Sequence, residues 1–253
     1  MAVIGAAMLL AISGVAVKMI FFPSVKDAWF QTNRQKLKQV PAGLVVVRAT
    51  HFPKSPTNGM AFTFADDKGN LWFVGRNVTF RQLMAGAYNS NPCRVVLPSS
   101  APKNNFDYLV TMPERPEAQE HLRLAVQKKI DYTAHREMCD EDVLALKVQD
   151  PALPGLKVSD ADEKPSIAVS NTKITFTHQQ LGVLTSPKAD FLEGFLQTPV
   201  VDRTGVKGFY DFSLVDSQKN LNRDDVDKIL NGWGLMLESG TASIEMLVVE
   251  KAR

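Results

Sequence analysis

Cysteine is nearly absent from this chain: Cys93 and Cys139 are the two among 253 residues. That excludes a disulfide-rich scaffold and any four-thiolate zinc or iron–sulfur site. One bridge between Cys93 and Cys139 stays open beside the reading as two free thiols, because spacing does not establish the geometry a disulfide needs. Histidine is as scarce. His51, His121, His135 and His178 are the four, and none has a partner at a metal-ligand spacing such as H-E-x-x-H, so no metal or other cofactor is expected. No G-x-S-x-G elbow, phosphate-binding glycine loop or dinucleotide fingerprint occurs, which leaves hydrolase, kinase and dehydrogenase readings without a motif. Charge of one sign is also lacking. The net charge is +2; Lys18, Lys26, Arg34, Lys36 and Lys38 against Asp27 put +4 in residues 1–38 and leave −2 in the remainder. Nucleic acid is not an expected partner of a body without a concentrated basic face.

What is present reads as a folded body behind an apolar leader. Hydrophobic residues make up 45% and charged residues 22%, ordinary values for a globular protein. Residues 2–22 hold one charge, Lys18, before Pro23 stops a helix, and as a helix they would span about 31 Å, enough to cross a bilayer. The reading is a single-pass membrane anchor with lipid as its partner. A cleaved signal ending near Gly14-Val15-Ala16 and a buried helix are the competing readings. Residues 23–43 then form a juxtamembrane linker, with Phe21, Phe22, Trp29 and Phe30 as an interfacial belt. The basic residues behind the span favour a cytoplasmic body by the positive-inside rule.

The body carries one order of parts twice. Val78 to Met84 opens the first series, followed by Arg94 to Leu97, Phe106 to Val110, a helix, and Val143 to Val148. Ile174 to Phe176 opens the second, followed by Pro199 to Asp202, Tyr210 to Leu214, a helix, and Ile244 to Val249. Phe80, Leu83, Met84, Ala87 and Tyr88 recur at helical spacing behind a Thr79–Gln82 capping box. Ser186 and Pro187 predict the start of the counterpart helix, with Ala189, Leu192, Phe195 and Leu196 on one face. Ala118, Leu122, Ala125 and Val126 follow Pro116, while Val226, Ile229, Leu230 and Trp233 follow the cap Asn222 and end at Gly232 and Gly234. Val206 to Phe209 and Glu238 to Thr241 read as tight turns, and Leu44 to Arg48, Met60 to Phe64 and Leu71 to Phe73 as added strands. The expected fold class is α+β, with duplicated βα-sandwich units behind the membrane helix. The first unit is expected over 44–149, a linker over 150–173 and the second unit over 174–253.

The runs Gly75 to Tyr88, His135-Arg136-Glu137, Pro199 to Phe212 and Gly234 to Glu238 resemble a soil-associated envelope family that occurs in large paralogous sets in soil bacteria. The likeness covers roughly residues 44–250, with Pro199-Val200-Val201-Asp202-Arg203-Thr204-Gly205 its most specific stretch; Thr177 to Leu184 reads as an insertion. It implies a domain of unknown function, exported or anchored, in a family some of whose members are joined to thioredoxin-like or metallopeptidase-sensor domains. It therefore implies a periplasmic body, against the charge rule, and a role in signalling or envelope maintenance. Each half is also similar to the short amino-terminal module of secretins and TonB-dependent receptors, a small βα sandwich used for protein contacts. That similarity implies an envelope protein or peptide as partner.

Asp202, Arg203 and Thr204 at a strand end, with Asp211 on the next strand, are the candidate ligand-binding residues, because an acid, a base and a hydroxyl together can grip a carboxylate or peptide terminus. The same residues can instead close an Asx-turn with Gly205 at positive φ, Arg203 pairing with Asp211 or Glu193. Asp107 and Asp211 occupy equivalent places in the two series. His135 reads as a satisfied structural histidine, and Asn77-Val78-Thr79 matches a glycosylation sequon. The expected function is a membrane-anchored, extracytoplasmic, non-enzymatic binding or signalling-accessory protein. The alternative is a hydrolytic or redox-accessory envelope enzyme using His135, Asp202, Asp211 or a cysteine.

Overall fold

The computed structural model describes residue 30 and residues 40–52, 59–65, 71–112, 115–160, 162–170, 173–187, 191–214 and 221–252. The expected anchor over residues 2–22 lies outside the described residues, as does most of the expected linker over 23–43. Among the described residues no helix is long and apolar enough to cross a membrane. Among the described residues the architecture is α+β, with three four-stranded sheets and five α-helices. Two compact units divide it: one takes the described residues up to Ser90, Val95–Arg136 and those from Leu247, the other Asn91–Arg94 and Glu137–Met246.

In the first unit β1 (Val45–Ala49), β2 (Met60–Ala65), β3 (Leu71–Val78) and β5 (Phe106–Met112) form an antiparallel sheet in the order β1-β5-β3-β2. Helix α1 (Phe80–Tyr88) starts at the predicted box: the Gln82 backbone N–H donates to Thr79 Oγ1 at 3.2 Å and the Thr79 backbone N–H to Gln82 Oε1 at 2.9 Å. That satisfies two of the amides a helix start leaves without partners. It ends at Asn89 with φ 50°. Helix α2 (Arg115–Ile130) follows β5. Leu83, Met84, Leu122 and Val126 from these helices pack on Phe73, Tyr108, Val110 and Met112 of the sheet. The opposite face of the sheet is buried too, by Phe30, Val40, Leu44, Val46, Phe64, Trp72, Val74 and Leu109. Phe30 is thus a core residue rather than part of an interfacial belt: it is 0% exposed, edge-on to Phe52 with Arg48 over its ring. Two-sided burial explains why β5 is apolar along its whole length apart from Asp107 and Thr111.

The second unit has β7 (Lys157–Val158), β8 (Ser166–Val169), β9 (Ile174–Gln179) and β11 (Tyr210–Leu214) in the order β7-β11-β9-β8, again antiparallel. Residues 150–173, read as a linker, therefore carry two sheet strands, short and exposed enough to look like loop in the sequence. Thr177 to Gln179, read as the start of an insertion, complete β9. The helix expected from Ser186 is also differently placed. Helix α3 (Gly182–Thr185) ends at Ser186, and α4 begins at Leu192 (Leu192–Leu196). Ser186 has an extended ψ of 120°, as the residue before a proline prefers. Helix α5 (Arg223–Gly232) starts at the predicted Asn222 cap. Phe176, Leu181, Leu184, Leu192, Phe212, Val226, Leu230 and Trp233 make this unit's core.

The third sheet has the order β10-β6-β12-β4. Its long members β6 (Tyr132–Val148) and β12 (Leu235–Lys251) are single strands of 17 residues each. Glu238 to Thr241 is strand interior, not a turn. β4 (Val95–Val96) runs parallel to β12 at Leu247 and Val248, and β10 (Val200–Asp202) parallel to β6 at Leu144 to Leu146.

Candidate functional site

Strand β5 sets Asp107, 0% exposed, opposite Arg48 of β1. Arg48 Nε donates to Asp107 Oδ2 at 3.2 Å; Thr50 Oγ1 and the Asn77 backbone N–H donate to Oδ1 at 2.8 and 2.9 Å. Asn77 stands at φ 55°, a left-handed conformation that β3 adopts at its bulge. It is 6% exposed, so the sequon asparagine is enclosed in the fold and no glycan can reach it. Asp211 repeats the arrangement on β11. It faces Lys157 of β7 at 3.3 Å and accepts the backbone N–H of His178, φ 50°, at 3.0 Å. That amide bond is the largest cause holding its carboxyl below the usual range, with Ser159 and Lys157 adding to it and partial desolvation opposing. Here the site is open. His178 stacks on Phe209 with centroids 4.2 Å apart, and its Nδ1 lies 3.2 Å from Ser159 Oγ. Asp211 thus bonds the His178 backbone amide and the Ser159 hydroxyl, while the imidazole faces Ser159 and Phe209.

The loop after β10 takes the turn form. Asp202 Oδ1 accepts from the Thr204 backbone N–H at 2.8 Å and from Thr204 Oγ1 at 2.7 Å, and Gly205 has φ 65°. Arg203 gives its backbone N–H to Leu146 O at 2.9 Å. Its expected acidic partners are engaged elsewhere, Asp211 with Lys157 and Glu193 with Arg94. Thus Asp202 and Thr204 bond each other, while Asp211 belongs to a different cluster. His135 lies in the first unit, half exposed, 3.7 Å from Glu250. Cys93 and Cys139 are not joined in a disulfide. Among the described residues no group of three or more His, Cys, Asp or Glu is placed to hold a metal ion.

Sequence reasoning missed the pair Arg94 and Glu193, 9% and 1% exposed in the second unit. Arg94 Nε donates to Glu193 Oε1 at 2.8 Å and Oε2 at 3.1 Å, and its terminal nitrogen donates to Oε1 at 2.6 Å and to Val200 O at 3.2 Å. The Val200 N–H closes the network on Oε1 at 2.9 Å, with Cys93 Sγ 3.7 Å from Oε2. A fork of this kind fixes α4 and β10 to the short 3₁₀ turn at Pro92–Arg94. One signal was available: Glu193 directly follows the core residue Leu192.

The same unit contains a cleft of about 730 Å³ lined by Asp142, Val143 and Leu144 of β6, Ser239, Gly240 and Thr241 of β12, and Phe195, Leu196, Thr198 and Arg223. The size suits a small-molecule or peptide side-chain site. Arg223 pairs with Asp227 at 2.7 Å and donates to Leu237 O at 3.2 Å, so its charge is offset by a residue outside the lining, and Asp142 is the lining's carboxylate. Apolar walls, three hydroxyls and one carboxylate equip it to bind a donor-rich or cationic group.

Helices packed on four-stranded antiparallel sheets define an α+β protein. Residues 81–252 match the family model described as "Protein of unknown function (DUF3738)", more than half of the chain, and the chain belongs to that family. Neither the curated proteins nor the solved structures gave a match.

Proposed function

We propose that this is a membrane-tethered binding or signalling-accessory protein whose body lies on the periplasmic side and recognises a protein, peptide or envelope ligand without transforming it. The observation that carries the reading is the cleft over β6 and β12, with Phe195 and Leu196 on one wall and Asp142, Thr198 and Thr241 supplying polar contacts. The body is read as two copies of one βα unit. In support, β7, β8, β9 and β11 keep the order and pairing of β1, β2, β3 and β5, and Asp211–His178 repeats Asp107–Asn77. The finer likenesses, to the soil-associated envelope family and to the secretin and TonB-receptor module, belong to this proposal, as does the anchor over residues 2–22.

Two measurements test it. Protease added to intact spheroplasts digests a periplasmic body; protection until lysis overturns the placement. Fragment titration followed by NMR shifts Leu196, Thr198 and Thr241 if the cleft is the binding site. An unresponsive cleft, or turnover of a substrate abolished by replacing His135, Asp202 or Asp211, overturns the binding reading.

A further inference from the structure

Strand β6 has β12 on one side and β10 on the other, but β10 reaches only opposite Leu144 to Leu146. The Leu144 N–H donates to Pro199 O and the Arg203 N–H to Leu146 O, each at 2.9 Å. Even-numbered residues of β6 therefore turn their backbone groups toward β10, and the two-residue repeat of a strand turns the N–H and C=O of Met138, Asp140 and Asp142 the same way. β10 has ended there, and among the described residues no other strand takes its place. All three residues are exposed, Met138 at 61%. This stretch is a strand edge with free donors and acceptors, a template for another chain.

Side chains state what kind of chain. Glu137, Asp140, Glu141 and Asp142 crowd the edge. Acids also serve merely to keep other strands away, and the molecule contains a comparison for that explanation. Leu247 of β12 pairs with Val95 of β4 as Leu144 of β6 pairs with Val200 of β10. Matching the strands on those pairs puts Gly240 to Glu245 where Glu137 to Asp142 stand, and only Glu245 among them is acidic. An edge of the same construction thus does without the acidic run, so protection alone does not call for it. The cleft supplies the remaining feature. Asp142 is shared between edge and cleft, and Phe195, Leu196 and Thr198 line the space just before β10 begins. A segment laid along β6 in line with β10 ends at that recess and can lodge a side chain in it.

We propose that the β6 edge from Met138 to Asp142 takes up an extended, lysine- or arginine-bearing segment of a partner protein as an added strand, with backbone bonds giving hold and the carboxylates giving selection. The inference rests on the reading of the body as a binding module. The probe is a capped hexapeptide alternating lysine and valine, titrated into the full isotope-labelled chain in neutral detergent. Binding is expected to slow amide exchange at Met138, Asp140 and Asp142 at least about fivefold. The double variant Asp140→Asn with Asp142→Asn is expected to weaken the complex about fivefold or more, and methylating alternate peptide nitrogens about tenfold. A glutamate–valine peptide is expected not to bind. Equal binding of the methylated peptide, binding without protection of those three amides, or no binding at millimolar peptide overturns the proposal. If the peptide fails while fragments still shift Thr198 and Thr241, only the edge inference falls; if both are silent, the binding reading falls with it.

Discussion

The carboxylate of Asp107, which has no solvent exposure, accepts the backbone N–H of Asn77 at 2.9 Å, and this bond holds a left-handed residue at the end of β3. Removing the carboxylate as Asp107→Ala strips Arg48, Thr50 and a buried amide of a shared acceptor. Deleting one partner of a buried charge network costs about 3–5 kcal/mol. Urea unfolding should show that loss, and a change under 1 kcal/mol would contradict the buried clamp.

Asp211 makes the same amide bond at a more exposed place, so Asp211→Asn should cost under about 1 kcal/mol at neutral pH. Its folded pKa is lowered, so the folded state holds its proton less tightly than the unfolded chain. The contribution is therefore complete above the unfolded value of about 3.9 and disappears as pH falls through the folded value. Wild type and variant should differ at pH 6 and converge in acid; a gap that widens in acid would reverse the assignment.

Glu193 and Arg94 form a buried fork whose loss should be costly on one side and mild on both. Glu193→Ala leaves Arg94 enclosed without its carboxylate, a loss of about 3–5 kcal/mol, whereas Arg94→Met combined with Glu193→Leu should recover most of it. Denaturation midpoints of the single and double variants decide this, and a double variant as unstable as the single would show that the pair is essential to packing.

The local signals that proved readable were those set by a few neighbouring residues. The Thr79–Gln82 box and the Asn222 cap marked two helix starts, and the matching places of Asp107 and Asp211 were visible from strand pattern alone. Contacts across long separations were not readable: Arg94 meets Glu193 99 residues away. Short exposed strands such as β7 and β8 look like loop because pairing, rather than burial, makes them strands. The run Glu238 to Thr241 carries turn residues inside β12, where hydrogen-bonded neighbours override local preference. The cleft was illegible for the same reason, since its lining comes from β6, β12, the end of α4 with Thr198 after it, and the start of α5.

Gly75 has no side chain because Tyr108 occupies the space: a Cβ there would overlap the phenol ring, itself buried on the neighbouring strand. Gly75→Ala must displace Tyr108 from the α1–α2 core and should destabilise by about 1–3 kcal/mol. The companion change Tyr108→Leu makes room, so the double variant should lose less than the two single losses combined. A double-mutant cycle without coupling would place the cost of Gly75→Ala elsewhere than this contact.

Cys139 lies on β6 beside Glu137, Asp140 and Glu141, and desolvation followed by these carboxylates pushes its thiol pKa up. The thiolate is the reactive form, so a raised pKa leaves less of it at pH 8. Iodoacetamide should therefore alkylate Cys139 more slowly than a simple model thiol, with a rate still climbing above pH 9. Replacing Glu137 and Glu141 by glutamine and Asp140 by asparagine removes the repulsion and should accelerate the reaction. Mass spectrometry under non-reducing conditions, which should also find Cys93 unbridged, reads both effects at once. An unchanged rate in the triple variant would mean that the acidic edge exerts no field on the strand that carries it.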